Sequence, residues 1–328
     1  MVNGLRVAIV GCGFIGEKRA RSLSAGSLSV CCDTDLRRAT ALATNEQAKV
    51  ETDWRRAVVR DDVDIVIVAT THDLLAEITT AAVVAGKHVL VEKPAALRAA
   101  QLDVAIAESK ANDVSVRVGF NHRYHRAFRE ARSIVDSGAL GPLTHVRARY
   151  GHGGRIGYDR EWRAVPAISG GGEAIDQGMH VIDLSRWFLG DFVDVHGFAE
   201  RYFWDMPVED NAFLLMRTAA RQVASLHASW TEWKNTFSFE IFGRFGKLEI
   251  TGLGGSYGIE RLAYYKMLPE LGPPDTVIYE YPRADDSWAT EYEAFVADIA
   301  AKRASNPGLE DAQAALRIVS QLYGEPDS

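Results

Sequence analysis

The run Leu5-Arg6-Val7-Ala8-Ile9-Val10-Gly11-Cys12-Gly13-Phe14-Ile15-Gly16 decides the fold. Its first half is short and apolar throughout, the pattern of a strand buried on both faces. Its second half is G-x-G-x-x-G. The pattern is weak alone, but here it leaves a strand and opens a helix, which is the context it needs. The first glycine permits a tight turn, the second lets a pyrophosphate approach the backbone, and the third lets helix and strand pack closely. The helix start then offers unpaired N–H groups to the phosphates. Gly11, Gly13 and Gly16, with the intervening Phe14 and Ile15, are therefore candidate cofactor-binding residues.

Outward from this run the pattern repeats. Residues 5–10, 28–33, 49–51, 64–70, 87–91 and 114–119 read as strands, and 14–25, 35–44, 53–60, 73–85 and 96–111 as helices. Apolar strands alternating with helices imply a parallel sheet covered on both faces, and right-handed crossovers make it doubly wound, the Rossmann arrangement. After residue 120 the rhythm changes. Helices over 126–137 and 173–189 are followed by alternating runs at 193–202, 211–217, 222–230, 236–243, 246–251 and 276–281. With a strand at 143–150 these predict an α+β domain with a large, mostly antiparallel open sheet, Gly243 to Gly246 turning a hairpin. Two helical stretches, 287–304 and 309–323, close the chain. The expected domains are 1–120 and 121–328, as the 328-residue length suggests at about 150 residues per domain.

Hydrophobic residues at 47% and charged residues at 25% are the balance of an ordinary globular protein. A formal charge of −7 lacks the basic footprint of a nucleic-acid binder. The purest apolar runs fall far short of the roughly 20 residues that span a bilayer. The strand-like run starts almost at the N-terminus, so no signal peptide is expected. Cys12, Cys31 and Cys32 show no zinc spacing and read as reduced cysteines of a cytoplasmic protein; no metal site is expected.

Four further residues are candidates for chemistry. Asp33 closes the second strand, where an acid binds the adenosine ribose and repels a 2′-phosphate, which favours NAD over NADP. Arg37 and Arg38 nearby pull the other way. Lys93, in Glu92-Lys93-Pro94, stands at the carboxyl end of a strand, where ligands bind in such sheets, and its ammonium can steady an oxygen. Asp176 and His180 are four residues apart on the helix expected over 173–189, so they share a face. The histidine can move a proton near neutral pH, and the carboxylate can orient it or hold the same substrate.

These residues together resemble the Gfo/Idh/MocA oxidoreductase family. The likeness rests on GCGFIG at 11–16, CDTD at 32–35, AGKHVLVEKP at 85–94, GFNHRY at 119–124, SGALGPL at 137–143 and GGGEAIDQGMHVIDL at 170–184. It implies NAD(P) in the first domain and a hydride transferred to or from a hydroxyl-bearing carbon of a sugar, sugar derivative or cyclitol. It makes Lys93, Asp176 and His180 the catalytic trio. It also places Thr70, Thr71, Glu92 and Lys93 at the cofactor, and Asn121 beside the substrate. There are departures: Thr71 and Leu75 occupy places where proline and histidine are common, and His122 stands where arginine is common. Arg155, Tyr158, Trp162 and Arg163, in the loop before the triple glycine, are substrate-contact candidates through stacking and bidentate binding. Two rival readings share the fold, an NAD-dependent glycosidase and a non-catalytic NAD-responsive binding protein. The late strands outnumber the helices able to cover them. A homodimer or homotetramer through that sheet is expected, with either Phe237, Phe239 and Ile241 or Ser238 and Glu240 facing out.

Overall fold

Val7–Val10 and Ile65–Val68 are fully buried four-residue strands, as expected of β-branched runs sandwiched between helix layers. In the computed structural model, which describes residues 4–23, 27–44 and 47–325, they lie side by side. They are β1 and β4 of a six-stranded parallel sheet. Its other strands are β2 (Leu28–Cys32), β3 (Lys49–Glu51), β5 (His88–Val91) and β6 (Val116–Val118). The order β3-β2-β1-β4-β5-β6 is that of a doubly wound Rossmann sheet. Its helices are α1 (Phe14–Arg21), α2 (Leu36–Thr44), α3 (Trp54–Val58), α4 (His72–Val84) and α5 (Asp103–Ala111). The helix expected over 14–25 ends at Arg21, capped by Ser22, and residues 24 and 25 lie outside the described residues.

The chain divides into two compact units after Phe120. The second unit begins with α6 (Arg126–Asp136) and β7 (Leu143–Gly151), then α7 (Pro166–Ser169) and α8 (Gly178–Leu189). Seven more strands follow: β8 (Phe192–Glu200), β9 (Asn211–Thr218), β10 (Val223–Ser229), β11 (Thr236–Gly243), β12 (Gly246–Thr251), β13 (Glu260–Lys266) and β14 (Asp275–Tyr281). They form one sheet in the order β14-β13-β12-β11-β7-β10-β9-β8, antiparallel except where β10 meets β7. β13 is not expected from the sequence. The hairpin between β11 and β12 is present, Gly243 pairing directly with Gly246.

Alternation sets the two faces of this sheet. Val146, Ala148, Tyr150, Phe237, Phe239 and Ile241 are buried. α6 and α8 pack on the sheet. Ser238 and Glu240 therefore point to the other face, where Phe198 and Leu215 are exposed around a shallow depression of about 650 Å³.

The last two helices, α9 (Ser287–Ala301) and α10 (Leu309–Leu322), correct the expected domain assignment. Residues 288–316 belong to the first unit, not the second. The reason is apolar: Tyr292 and Phe295 of α9 enter the core formed by Val7, Ile9, Ile65, Ile67 and Leu90. No helix among the described residues is long and apolar enough to cross a membrane.

Candidate active site

In the first unit, β1 delivers the chain into Gly11, whose φ is +97°. A side chain there would meet the Ala69 carbonyl oxygen at 2.4 Å, and one at Gly16 would meet the Gly11 carbonyl oxygen at 2.0 Å. Both glycines are thus required by close packing of backbone. Gly13 differs: a Cβ there would meet nothing within 4 Å. It caps α1 without any side-chain hydrogen bond, so the helix start presents its N–H groups toward open space. A dinucleotide pyrophosphate fits this cradle. Phe14, next in line, is 70% exposed.

Asp33, at the end of β2, accepts hydrogen bonds from the Cys12 N–H at 2.8 Å and the Asp35 N–H at 2.8 Å. Its carboxylate is therefore fixed beside the glycine turn. Arg37 is exposed and bonded to Asp35, which its side-chain hydrogen bond holds below the ordinary carboxylate range. Arg38 also lies against Asp35. The three cysteines are buried thiols. Thr70 donates to the Thr71 carbonyl, and Thr71 precedes α4 with its hydroxyl on Asp73 at 2.6 Å. Leu75 is wholly buried, so this position serves packing.

Glu92 is turned inward. Its carboxylate accepts from Arg19 Nε of α1 at 2.6 Å, and Arg19 Nη1 reaches Glu291 of α9 at 2.5 Å. The Arg19 guanidinium is completely buried beneath the Trp288 ring. Glu92 thus takes part in a buried ion pair directly before Lys93. Lys93 itself is half-buried, follows β5 and opens a cis Lys93–Pro94 bond. Neither Arg19 nor Glu291 carries a sequence signal for this pairing.

In the second unit, the helix expected over 173–189 starts only at Gly178; residues 173–177 are turn. The Gly178 N–H bonds back to the Glu173 carbonyl at 2.8 Å, a wider turn than the α-helical one. The Glu209 carboxylate accepts from the N–H groups of Gly172 and Ala174 at 2.9 and 3.0 Å and from the Tyr323 hydroxyl at 2.6 Å, anchoring this turn. A side chain at Gly172 would strike the Glu209 carbonyl oxygen at 1.9 Å, which accounts for glycine there. Asp176 thus precedes α8, whereas His180 sits in its first turn; both are buried.

Asp176 is gripped by Arg163, whose Nε donates to Oδ2 at 2.9 Å. Arg163 in turn lies over the Trp162 ring at 4.6 Å. Of the four loop candidates, these two line up behind Asp176. Tyr158 is core: 3% exposed and edge-on to Trp230 at 5.0 Å, with burial pushing its phenol far above the ordinary range. Arg155 is exposed and paired with Glu161 at 2.6 Å. Trp230 is wholly buried, whereas Trp233 is 65% exposed. Asn121 donates from Nδ2 to Ser287 Oγ at 2.9 Å and turns Oδ1 toward His122 Nδ1 at 3.2 Å. His122 stacks on His180, ring centroids 3.8 Å apart. Tyr150 stands beside this pair and Tyr257 beside Tyr150, and burial pushes the Tyr257 phenol up to about 12. The sequence assigns no role to His122, Tyr150 or Tyr257; only alternation along β7, which puts Tyr150 on the inner face with Val146 and Ala148, carries a signal for any of them. Among the described residues, no group of three or more His, Cys, Asp or Glu side chains is arranged to hold a metal ion.

Residues 5–120 match the oxidoreductase-family NAD-binding Rossmann fold, and residues 128–249 the GFO/IDH/MocA C-terminal domain. The chain belongs to the Gfo/Idh/MocA oxidoreductase family. Levoglucosan dehydrogenase of Pseudarthrobacter phenanthrenivorans is 26% identical over 75% of this chain and 73% of its own length. Inositol 2-dehydrogenase 2 of Saccharopolyspora erythraea is 31% identical over 57% of this chain and 54% of its own, so the match spans about half of that relative. Among solved structures, GenD2 from gentamicin A biosynthesis in complex with NAD covers 99% of this chain and 94% of its own, with a TM-score of 0.83 and 26% identity. This Gfo/Idh/MocA member is thus an NAD-binding oxidoreductase.

Proposed function

We propose that the protein transfers a hydride between NAD and one hydroxyl-bearing carbon of a sugar, sugar derivative or cyclitol. The observation that carries this reading is the buried Asp176, fixed by Arg163 four residues before His180. The levoglucosan and inositol dehydrogenases among its relatives support a polyhydroxylated ring as substrate. Bound nicotinamide supplies the hydride chemistry. In the oxidative direction His180 takes the hydroxyl proton. Lys93 is the proposed ammonium that offsets negative charge developing on a substrate oxygen. Asp176, paired with the Arg163 guanidinium, orients His180 or accepts from a neighbouring hydroxyl. A panel of sugars and cyclitols, followed by NADH absorbance, tests the reading; no turnover with any polyol or ketose overturns it.

Asp33 is the proposed ribose ligand and the reason for preferring NAD. Asp33→Ala is expected to weaken NAD binding and narrow the preference over NADP, measured by fluorescence titration of both. A wild-type protein that binds NADP at least as tightly as NAD would move the assignment to Arg37 and Arg38. Three buried thiols suit a reducing cytoplasm.

The outer sheet face, with exposed Phe198 and Leu215, is the proposed contact of a homodimer or homotetramer. Sedimentation at micromolar concentration is expected to show that species, and Leu215→Glu to dissociate it. A monomeric wild type would defeat the idea.

A further inference from the structure

Three loops leave one end of the second sheet together. Gly151 ends β7, Ser229 ends β10, and Glu200 and Asn211 bound the connection from β8 to β9. Ser229 pairs with both Gly151 and Asn211, and Asn211 with Glu200, so these strand ends lie in line. Aromatic residues gather on the loops. Asp210, wholly buried, accepts from the backbone N–H groups of Tyr202, Phe203 and Trp204 at 2.9, 2.8 and 2.9 Å. One carboxylate thus fixes three successive aromatic residues. Trp204 turns inward: its Nε1 donates to the Trp230 carbonyl at 3.1 Å, and its ring lies 5.8 Å from Tyr158. Tyr202 and Phe203 stay more than half exposed. Trp233, from the third loop, meets Phe203 edge to face at 4.6 Å and is also more than half exposed. Its φ is +57°, a left-handed conformation that residues with side chains seldom hold. Gly153 makes room for it, since a Cβ there would lie 3.1 Å from the Trp233 Cα. A residue held in that conformation while its ring faces water points to use rather than packing.

Asp176 and His180 stand at the same end of the sheet. A Cβ at Gly178, between them, would lie 3.6 Å from the Ala228 Cβ, one residue before β10 ends. Arg163, which grips Asp176, also lies 3.7 Å from Glu161; Glu161 pairs with Arg155 at 2.6 Å, and Arg155 lies over the Tyr158 ring beneath Trp204. Burial, and next the Asp176 charge, push the Tyr158 phenol up, so this ring lies within that carboxylate's field. The size of the exposed patch selects its occupant. At about 150–250 Å² for a whole aromatic side chain, three such rings offer roughly 300–500 Å². That falls short of the roughly 800 Å² per partner of a stable protein contact, and suits one or two sugar rings. The electron-rich ring faces accept the C–H bonds of a pyranose, while Arg155 and Glu161 offer a donor and an acceptor to its hydroxyls.

We propose that Phe203 and Trp233, with Tyr202, form a subsite that stacks a second sugar ring, so that the substrate is a glycoside whose other ring reacts beside His180. This deepens the polyol reading and rests on it for the reacting ring; stacking on the platform needs no turnover.

The test is ligand-observed NMR titration of the full-length protein with glucose, cellobiose, maltose and melibiose, in wild type, Phe203→Ala, Trp233→Ala and the double variant. At least one disaccharide is expected to bind about fivefold or more tightly than glucose. Each single variant should lower that ratio by about twofold or more, and the double variant should bring it to about twofold or less, the range that aromatic contacts of this kind supply. Sedimentation of wild type and the double variant should show the same species. The proposal is overturned if no disaccharide binds more tightly than glucose, or if the preference survives the double variant. It is equally overturned if the double variant dissociates an oligomer, since the rings would then be a contact between copies of the chain. Polyol oxidation without the disaccharide preference defeats the subsite alone. Platform-dependent disaccharide binding with no polyol oxidised defeats the hydride-transfer reading and leaves the stacking in place.

Discussion

His180→Ala is expected to lower kcat by about 10²- to 10⁴-fold while NAD affinity barely changes, because a positioned side chain that moves a proton contributes about that factor. The glycine turn and Asp33 belong to the first unit and His180 to the second, so the variant changes none of the residues proposed to hold the adenosine. Lys93→Ala should also lower kcat and raise KM, since an ammonium that touches the substrate oxygen acts in both ground and transition states. Asp176→Asn separates two roles. Its amide keeps the shape but leaves Arg163 without this anion. If the carboxylate only orients, the variant is milder than His180→Ala; if it lies on the proton path, the two match. Steady-state kinetics and NAD titration of the three variants decide. Near-wild-type kcat in His180→Ala would make the histidine a packing residue and move acid–base work to Lys93.

Much of the first unit is legible because its signals are local. A run such as Ile65–Val68, apolar on both faces, has few alternatives to a buried parallel strand, and the glycine motif fixes the turn and the helix start beside it. The failures all involve partners distant in sequence. β13 opens with Glu260, a poor strand signal, yet that acid is buried because the Ala127 N–H at the start of α6 and His125 both bond to it. Residues 173–177 have a helical pattern, but they form a wider turn closed by the Gly178 N–H on the Glu173 carbonyl and tied to Glu209 from a distant strand connection. α9 is expected in the second unit and packs in the first, because nothing local distinguishes Tyr292 and Phe295 from residues packing on the second sheet.

The candidate site shows the same division. Residue types are readable: a lysine after a strand, an acid and a histidine at a glycine-rich start. Their company is not. Arg163 reads as available to grip a substrate, but a guanidinium this close to a buried carboxylate is drawn to it first. Glu92 reads as available to a cofactor, but the completely buried Arg19 would lose this counter-charge if Glu92 turned away.

That last pair gives the largest stability effect. Arg19→Met is expected to destabilise the protein by about 3–5 kcal/mol, the usual result of removing one partner from a buried ion pair. Methionine fills the space under Trp288 but leaves Glu92 and Glu291 facing each other without this cation. Gly119 leaves no slack for rearrangement, since even a Cβ there would lie 2.6 Å from Arg19 Nη2. One guanidinium cannot fully balance two buried carboxylates, and burial accordingly raises the Glu291 carboxyl to about 7. The sign of the pH effect comes from that direction. Between an unfolded carboxyl near 4.5 and about 7, the folded protein holds a proton that the unfolded chain has released. Stability from this group is therefore full below the unfolded value, declines as pH rises, and is lost once pH passes about 7. Glu291→Gln should remove that slope and be mild near neutrality, because Arg19 and Glu92 then pair one to one. Arg19→Met combined with Glu291→Gln should recover part of the single-variant loss, since only one stranded carboxylate remains. Urea unfolding of the three variants across the range from mildly acidic to mildly alkaline pH measures all of this. A loss in Arg19→Met below about 1 kcal/mol would mean that water reaches these carboxylates and that the pair is not the closed, dry contact its burial indicates.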